Sequence, residues 1–179
     1  QKQLDRNLEM LKKLKIEQKI QDVIDDINRI AEEEEQLAQQ ISEQKNFNET
    51  REQVETHQKD LKDLQQQISD ALNMNKELEK PLNFDDFNED FDEVDTSIAD
   101  SKKQLEKKNR KKSSSDLKKT SEQMKNMAFG MQQMLDMNMQ KQNIENIQNL
   151  HQILSNLILL SFTQEEILTD LQTINVKDP

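Results

Sequence analysis

Pro81, Gly130 and Pro179 are the only prolines and the only glycine among 179 residues, and this scarcity limits what the chain can become. Tight connections between strands need backbone angles that glycine and proline supply at little cost. A chain so poor in both cannot build a succession of them, which argues against all-β and α/β architectures and leaves long helices. Aromatic residues are 3% of the chain, so the interior has to be made of leucine, isoleucine and methionine in a seam or thin bundle. The expected fold is all-α, built from long antiparallel helical hairpins or coiled coil in an elongated arrangement.

The first helix is expected from about Lys2 to about Ser42. Its apolar positions are Leu4, Leu8, Leu11, Leu14, Ile16, Ile20, Val23, Ile27, Ile30, Leu37 and Ile41, and from Ile16 they alternate at four and three residues. Glu34 breaks the stripe at a seam position, and the phase slips between Leu11 and Ile16. A second register starts at Phe47. Phe47, Val54, Leu61, Ile68 and Asn75 share one seam position, and Thr50, His57, Leu64, Ala71 and Leu78 the other. The two registers are out of step, and Asn46 with Glu49 has the pattern of a capping box, so a turn near 43–46 inside a hairpin over 1–80 is preferred to one continuous rod. Asn75 suits either a register-specifying contact or an exposed amide near a fraying end.

Pro81 ends that hairpin, because a proline disfavours helix before it and lacks a donor. A third helix within 81–112 is expected to be capped by Asn83, with the stripe Phe84, Phe87, Phe91, Val94, Ile98 and Leu105 on an acidic background that gives way to a lysine-rich end. Ser113, Ser114 and Ser115 either break the chain briefly or are passed through. The segment 113–162 then carries the methionine seam Met124, Met127, Met131 and Met134, with Gly130 inside it permitting a close contact or a bend. It ends in an apolar block containing Ile153, Leu154, Leu157, Ile158 and Phe162. That block is apolar on nearly every side of a helix, so it must be buried by its own chain or by a partner. Thr163 with Glu166 resembles a second capping box, starting a short last helix over 163–179 through Ile167, Leu168, Leu171 and Ile174.

Chemical motifs are few. Asp86, Asn88 and Asp90 have the spacing of a calcium loop, but Phe91 stands where the loop needs glycine and Ser97 where it needs a bidentate glutamate. The lysine-rich run Lys102 to Lys112 lies in a chain of net charge -11 and lacks interleaved aromatics, so it reads as a solvated face rather than a nucleic-acid site. Methionine clusters can bind soft metal or accept partner helices, yet three-four spacing reads first as seam packing. His57 and His151 have no companion at metal-binding spacing and read as seam or surface histidines. There is no phosphate-binding glycine loop, nucleophile elbow or zinc-binding helix motif, so neither enzyme activity nor a cofactor is expected. Without cysteine there is no disulfide framework. No stretch is apolar for the roughly 20 residues a membrane span needs. The charged helix beginning at Gln1 reads as part of a longer polypeptide, with any anchor or export signal outside it.

The run from Leu150 to Leu171, with Leu160-Ser-Phe-Thr-Gln-Glu as its most specific part, together with Leu4-Asp-Arg-Asn-Leu-Glu-Met-Leu-Lys-Lys-Leu and Glu17-Gln-Lys-Ile, resembles the helical region of the large membrane-anchored coiled-coil proteins of Bacteroidota, a domain family of unknown function. The resemblance implies a place in the cell envelope, on the periplasmic side of the inner membrane, with the membrane reached only through parts outside this segment. It supplies no catalytic residues. The functional expectation is a structural or scaffolding segment with protein partners, through helix packing with itself or another chain and including a possible homodimer. The alternative is a regulatory or chaperone-like module that holds a partner helix on the methionine seam.

Overall fold

In the computed structural model, residues 2–43 and 46–175 are described, and they form four helices with no strand among them. These are α1 (Lys2–Ser42), α2 (Phe47–Lys76), α3 (Asn88–Glu106) and α4 (Arg110–Asn175). The chain divides into two compact units, Gln1–Asp136 and Met137–Pro179. The fold class is all-α, as the shortage of turn formers implies.

The first unit contains the core, which runs from Ile16 to Leu135. Both α2 registers are inside it: Thr50, Val54, His57, Leu61, Leu64, Ile68, Ala71 and Asn75 are all buried. α1 packs on α2, and α2 on α3. The early part of α4 joins α1 through hydroxyls, because Ser114 Oγ donates to the Ala38 carbonyl at 2.8 Å and Ser121 Oγ to the Ala31 carbonyl at 2.7 Å. These contacts step seven residues forward in α4 and seven back in α1, a heptad of small residues that lets the two backbones approach. Ser101 and Thr120 meet at 3.5 Å between α3 and α4.

Four boundaries differ from the sequence expectations. The basic run does not close a single helix over 81–112 but is split, because α3 ends at Glu106, Lys108 takes a left-handed φ of 55, and Arg110 to Lys112 open α4. α2 stops at Lys76, before Pro81 is reached, because buried Asn75 turns its side chain on the following loop: Nδ2 donates to the Leu82 carbonyl at 2.7 Å and Oδ1 accepts from the Leu82 amide at 2.8 Å. Asn75 is thus neither an exposed amide nor a register-specifying contact across the seam: it is buried and bonds the backbone of the loop that follows it. α3 starts at Asn88, not after Asn83, with Phe87 as its N-cap in the left-handed region at φ 53. Phe84 and Phe87 therefore lie in the preceding loop and pack on the core from there. Gly130 faces the Phe87 ring, and a Cβ there would meet Phe87 Cε1 at 3.4 Å in ordinary van der Waals contact. α4 passes through Ser113 to Ser115 and through Thr163 without a break, so no separate C-terminal helix exists. The Thr163 hydroxyl bonds back to the Leu159 carbonyl at 3.0 Å, satisfied inside the helix instead of capping a new one.

The turn expected near 43–46 falls partly on Gln44 and Lys45, outside the described residues, as do the side chain of Ile174 and residues 176–179. Asn46 does cap α2, accepting from the Asn48 amide at 3.1 Å. At the start of α1, Leu4, Leu8, Leu11 and Leu14 are exposed, so the seam begins at Ile16, just past the phase slip.

Candidate functional site

Three places carry more than routine packing. The first is the ionic contact between α1 and α2. Glu34, the carboxylate that interrupts the α1 stripe, is completely buried, and its Oε1 lies 2.7 Å from His57 Nδ1. His57 Nε2 reaches Glu33 Oε2 at 2.9 Å. Burial opposes the charge on His57, but the carboxylates of Glu34 and Glu33 outweigh it and hold its pKa above the ordinary 6.5. Burial also pushes the Glu34 pKa above the ordinary 4.5, against the pull of His57. Glu34 Oε2 has no hydrogen-bond partner. The pair joins two helices inside the core, away from the cleft at the end of α2, and its role is structural.

The second is an open cleft of about 650 Å³ at the end of α2, lined in part by Leu72, Lys76, Phe84, Asp86 and Asp90. Its carboxylates come from the loop and the first turn of α3, where they favour the helix dipole. Among the described residues no group of three or more His, Asp or Glu side chains is arranged to hold a metal. The basic run is also partly structural: Arg110 Nη1 donates to the Ile41 carbonyl at 2.6 Å, and its guanidinium lies 5.2 Å from the Phe47 ring centroid. One charged residue of the run thus closes the C-terminal end of α1, and Lys102 ties α3 to α2 through Glu55 and Gln58.

The third is the far half of α4. Met124, Met127 and Met131 are buried in the first unit, whereas Met134 is half-buried and its sulfur accepts from the Asp85 amide at 3.5 Å. Past Asn138 no described residue is buried. The apolar block is bare within this chain: Ile153 is 54% exposed, Leu154 55%, Leu157 57%, Ile158 48% and Phe162 64%. The expectation that the chain itself could bury this block is therefore corrected. Ile144, Ile147, Leu150, Ile167, Leu168 and Leu171 are exposed beside it on the same helix. No helix among the described residues is long and apolar enough to cross a membrane.

Of the residues singled out from sequence, the structure thus gathers three methionines into the core and leaves the five block residues on an open helix. Sequence reasoning missed the interhelix roles of Arg110, Ser114 and Ser121, although the seven-residue spacing of the two serines was a usable signal. No protein-family model matches the chain, and no curated protein or solved structure is significantly similar to it.

Proposed function

We propose that the chain is a non-enzymatic structural or scaffolding segment. Its first unit is a stiff support in which the helices pack as long antiparallel hairpins of coiled-coil character, and the apolar half of α4 is the element by which it docks to protein. The observation that carries this reading is the sharp change along α4, from a seam buried as far as Leu135 to large apolar side chains left bare from Met137 to Leu171. Leaving so much apolar surface in water is unfavourable, and exposed apolar patches of this extent mark interaction sites. The resemblance to membrane-anchored Bacteroidota proteins adds a place: the envelope, on the periplasmic side of the inner membrane, held there by parts beyond this segment.

The clasp alternative has less support. A pliable methionine surface needs its methionines available, and Met124, Met127 and Met131 are already inside the core.

Small-angle scattering, at dilutions where light scattering reports single chains, tests the support role. A compact domain of this length has a radius of gyration of about 16 Å. A rod-like distance distribution with a much larger radius is expected, because α1 alone extends about 60 Å at about 1.5 Å per residue. A radius near the compact value would overturn the proposal.

A further inference from the structure

We infer that the exposed half of α4 is a parallel, in-register self-association helix whose partner is the same helix in further copies of this chain. The inference rests on the docking reading and names its occupant.

The seam is explicit. Ile147, Leu150, Leu154, Leu157, Leu168 and Leu171 follow four-three spacing and are each more than half exposed. Ser161 and Gln164 continue the same two positions as a polar step. In a parallel, in-register assembly Ser161 meets Ser161 and Gln164 meets Gln164, so hydroxyl and amide find partners of their own kind. An antiparallel assembly centred on Leu154 and Leu157 would set them against Leu150 and Ile147, and one centred between Ser161 and Gln164 would pair those two but set Leu150 against Asn175 and Ile147 against Asp178, so either places polar groups against apolar ones.

Charge points to a like partner. Between Glu145 and Glu165 there is no Asp, Glu, Lys or Arg, in a chain that is 34% charged. A partner selected by charge would find nothing to read there. Identical copies, although each carries a net charge of -11, meet along this stretch without repulsion.

The available area is sufficient. A leucine or isoleucine side chain offers about 60–120 Å² of apolar surface to bury. Eleven such side chains, the six of the seam and Ile144, Ile153, Ile158, Leu160 and Ile167, are each about half exposed or more. Together they offer on the order of 600 Å² per copy, comparable to the apolar share of the roughly 800 Å² each partner buries in a stable interface. The five flanking residues stand beside the seam, where two-stranded coiled coils carry charges. A band that wide is covered only when more than two helices meet.

The experiment uses the full chain. Light scattering is expected to give a mass at least three times 21.2 kDa. Leu157→Asp is expected to weaken association by at least about 30-fold, since a carboxylate would have to enter the interface. The melting of the first unit should be retained, because Leu157 is exposed within the chain. The chain has no cysteine, so Ser161→Cys alone reports orientation: under oxidation it should link identical positions efficiently, and Gln152→Cys, off the seam, should not. A monomeric wild type overturns self-association and leaves the scaffold reading to stand or fall on scattering. An assembly indifferent to Leu157→Asp, or one in which Ser161→Cys fails to crosslink, overturns the interface as described.

Discussion

Replacing His57 by leucine isolates what the core pays to hold a carboxylate. Glu34 is fully buried, one of its oxygens has no hydrogen-bond partner and the other sits 2.7 Å from the imidazole. Removing the imidazole leaves a buried acid with its close partner gone, a change that typically costs about 3–5 kcal/mol. Protonation of Glu34 sets the lower end of that range, since burial already favours its neutral form. For a unit of this size the loss corresponds to a melting midpoint lower by roughly 10 °C or more. Replacing both residues, Glu34→Leu with His57→Leu, restores an apolar seam and is expected to recover most of the loss, because well-packed apolar pairs equal or exceed buried ion pairs. The assay is urea and thermal unfolding followed by far-UV circular dichroism on all four members of the double-mutant cycle, at dilutions that keep the chain monomeric. A loss below about 1 kcal/mol in the single variant, or a double variant as unstable as the two single losses summed, would refute the reasoning.

Three further outcomes follow from the same contacts. His57 and Glu34 both bind a proton more tightly folded than unfolded, so the stability His57 contributes is complete below 6.5 and is lost as pH rises through its folded pKa; Glu34 acts in the same direction from 4.5 upward. The melting midpoint should therefore fall as pH rises from about 6 through neutrality, and the double leucine variant should flatten that slope. Asn75→Ala removes both bonds to Leu82 and leaves that backbone pair unsatisfied, so a loss of about 2–3 kcal/mol is expected in chemical denaturation. Lys108 is exposed and holds a left-handed φ of 55 just past the end of α3, so Lys108→Gly should stabilise by about 1 kcal/mol, measured the same way.

Much of this fold was legible because one rule, heptad spacing, governs it. The α2 registers coincide with its buried face, and the α1 stripe does so from Ile16 onward. Even the two polar intruders, Glu34 in one stripe and His57 in another, turn out to be each other's partner. What failed was local. Helix ends depend on single side-chain bonds that periodicity does not encode: Asn75 reaching for Leu82, or Phe87 accepting a left-handed conformation so that two aromatic rings can pack from a loop. Thr163 and Glu166 have the right letters for a cap, but nothing there forces the helix to open, and the hydroxyl is satisfied within it. The apolar block was recognised as needing cover. Periodicity records that need without recording which chain meets it, and within this chain the block is bare.

Hydrogen exchange resolved along the full chain, at a dilution giving monomers and at a concentration giving assemblies, tests the division most directly. Amides across the buried seam from Ile16 to Leu135 are expected to be protected equally in both, and those from Met137 to Leu171 to be protected only in the concentrated sample. Equal, strong protection of Met137 to Leu171 in the monomer would contradict it, because the chain would then be covering its own apolar helix.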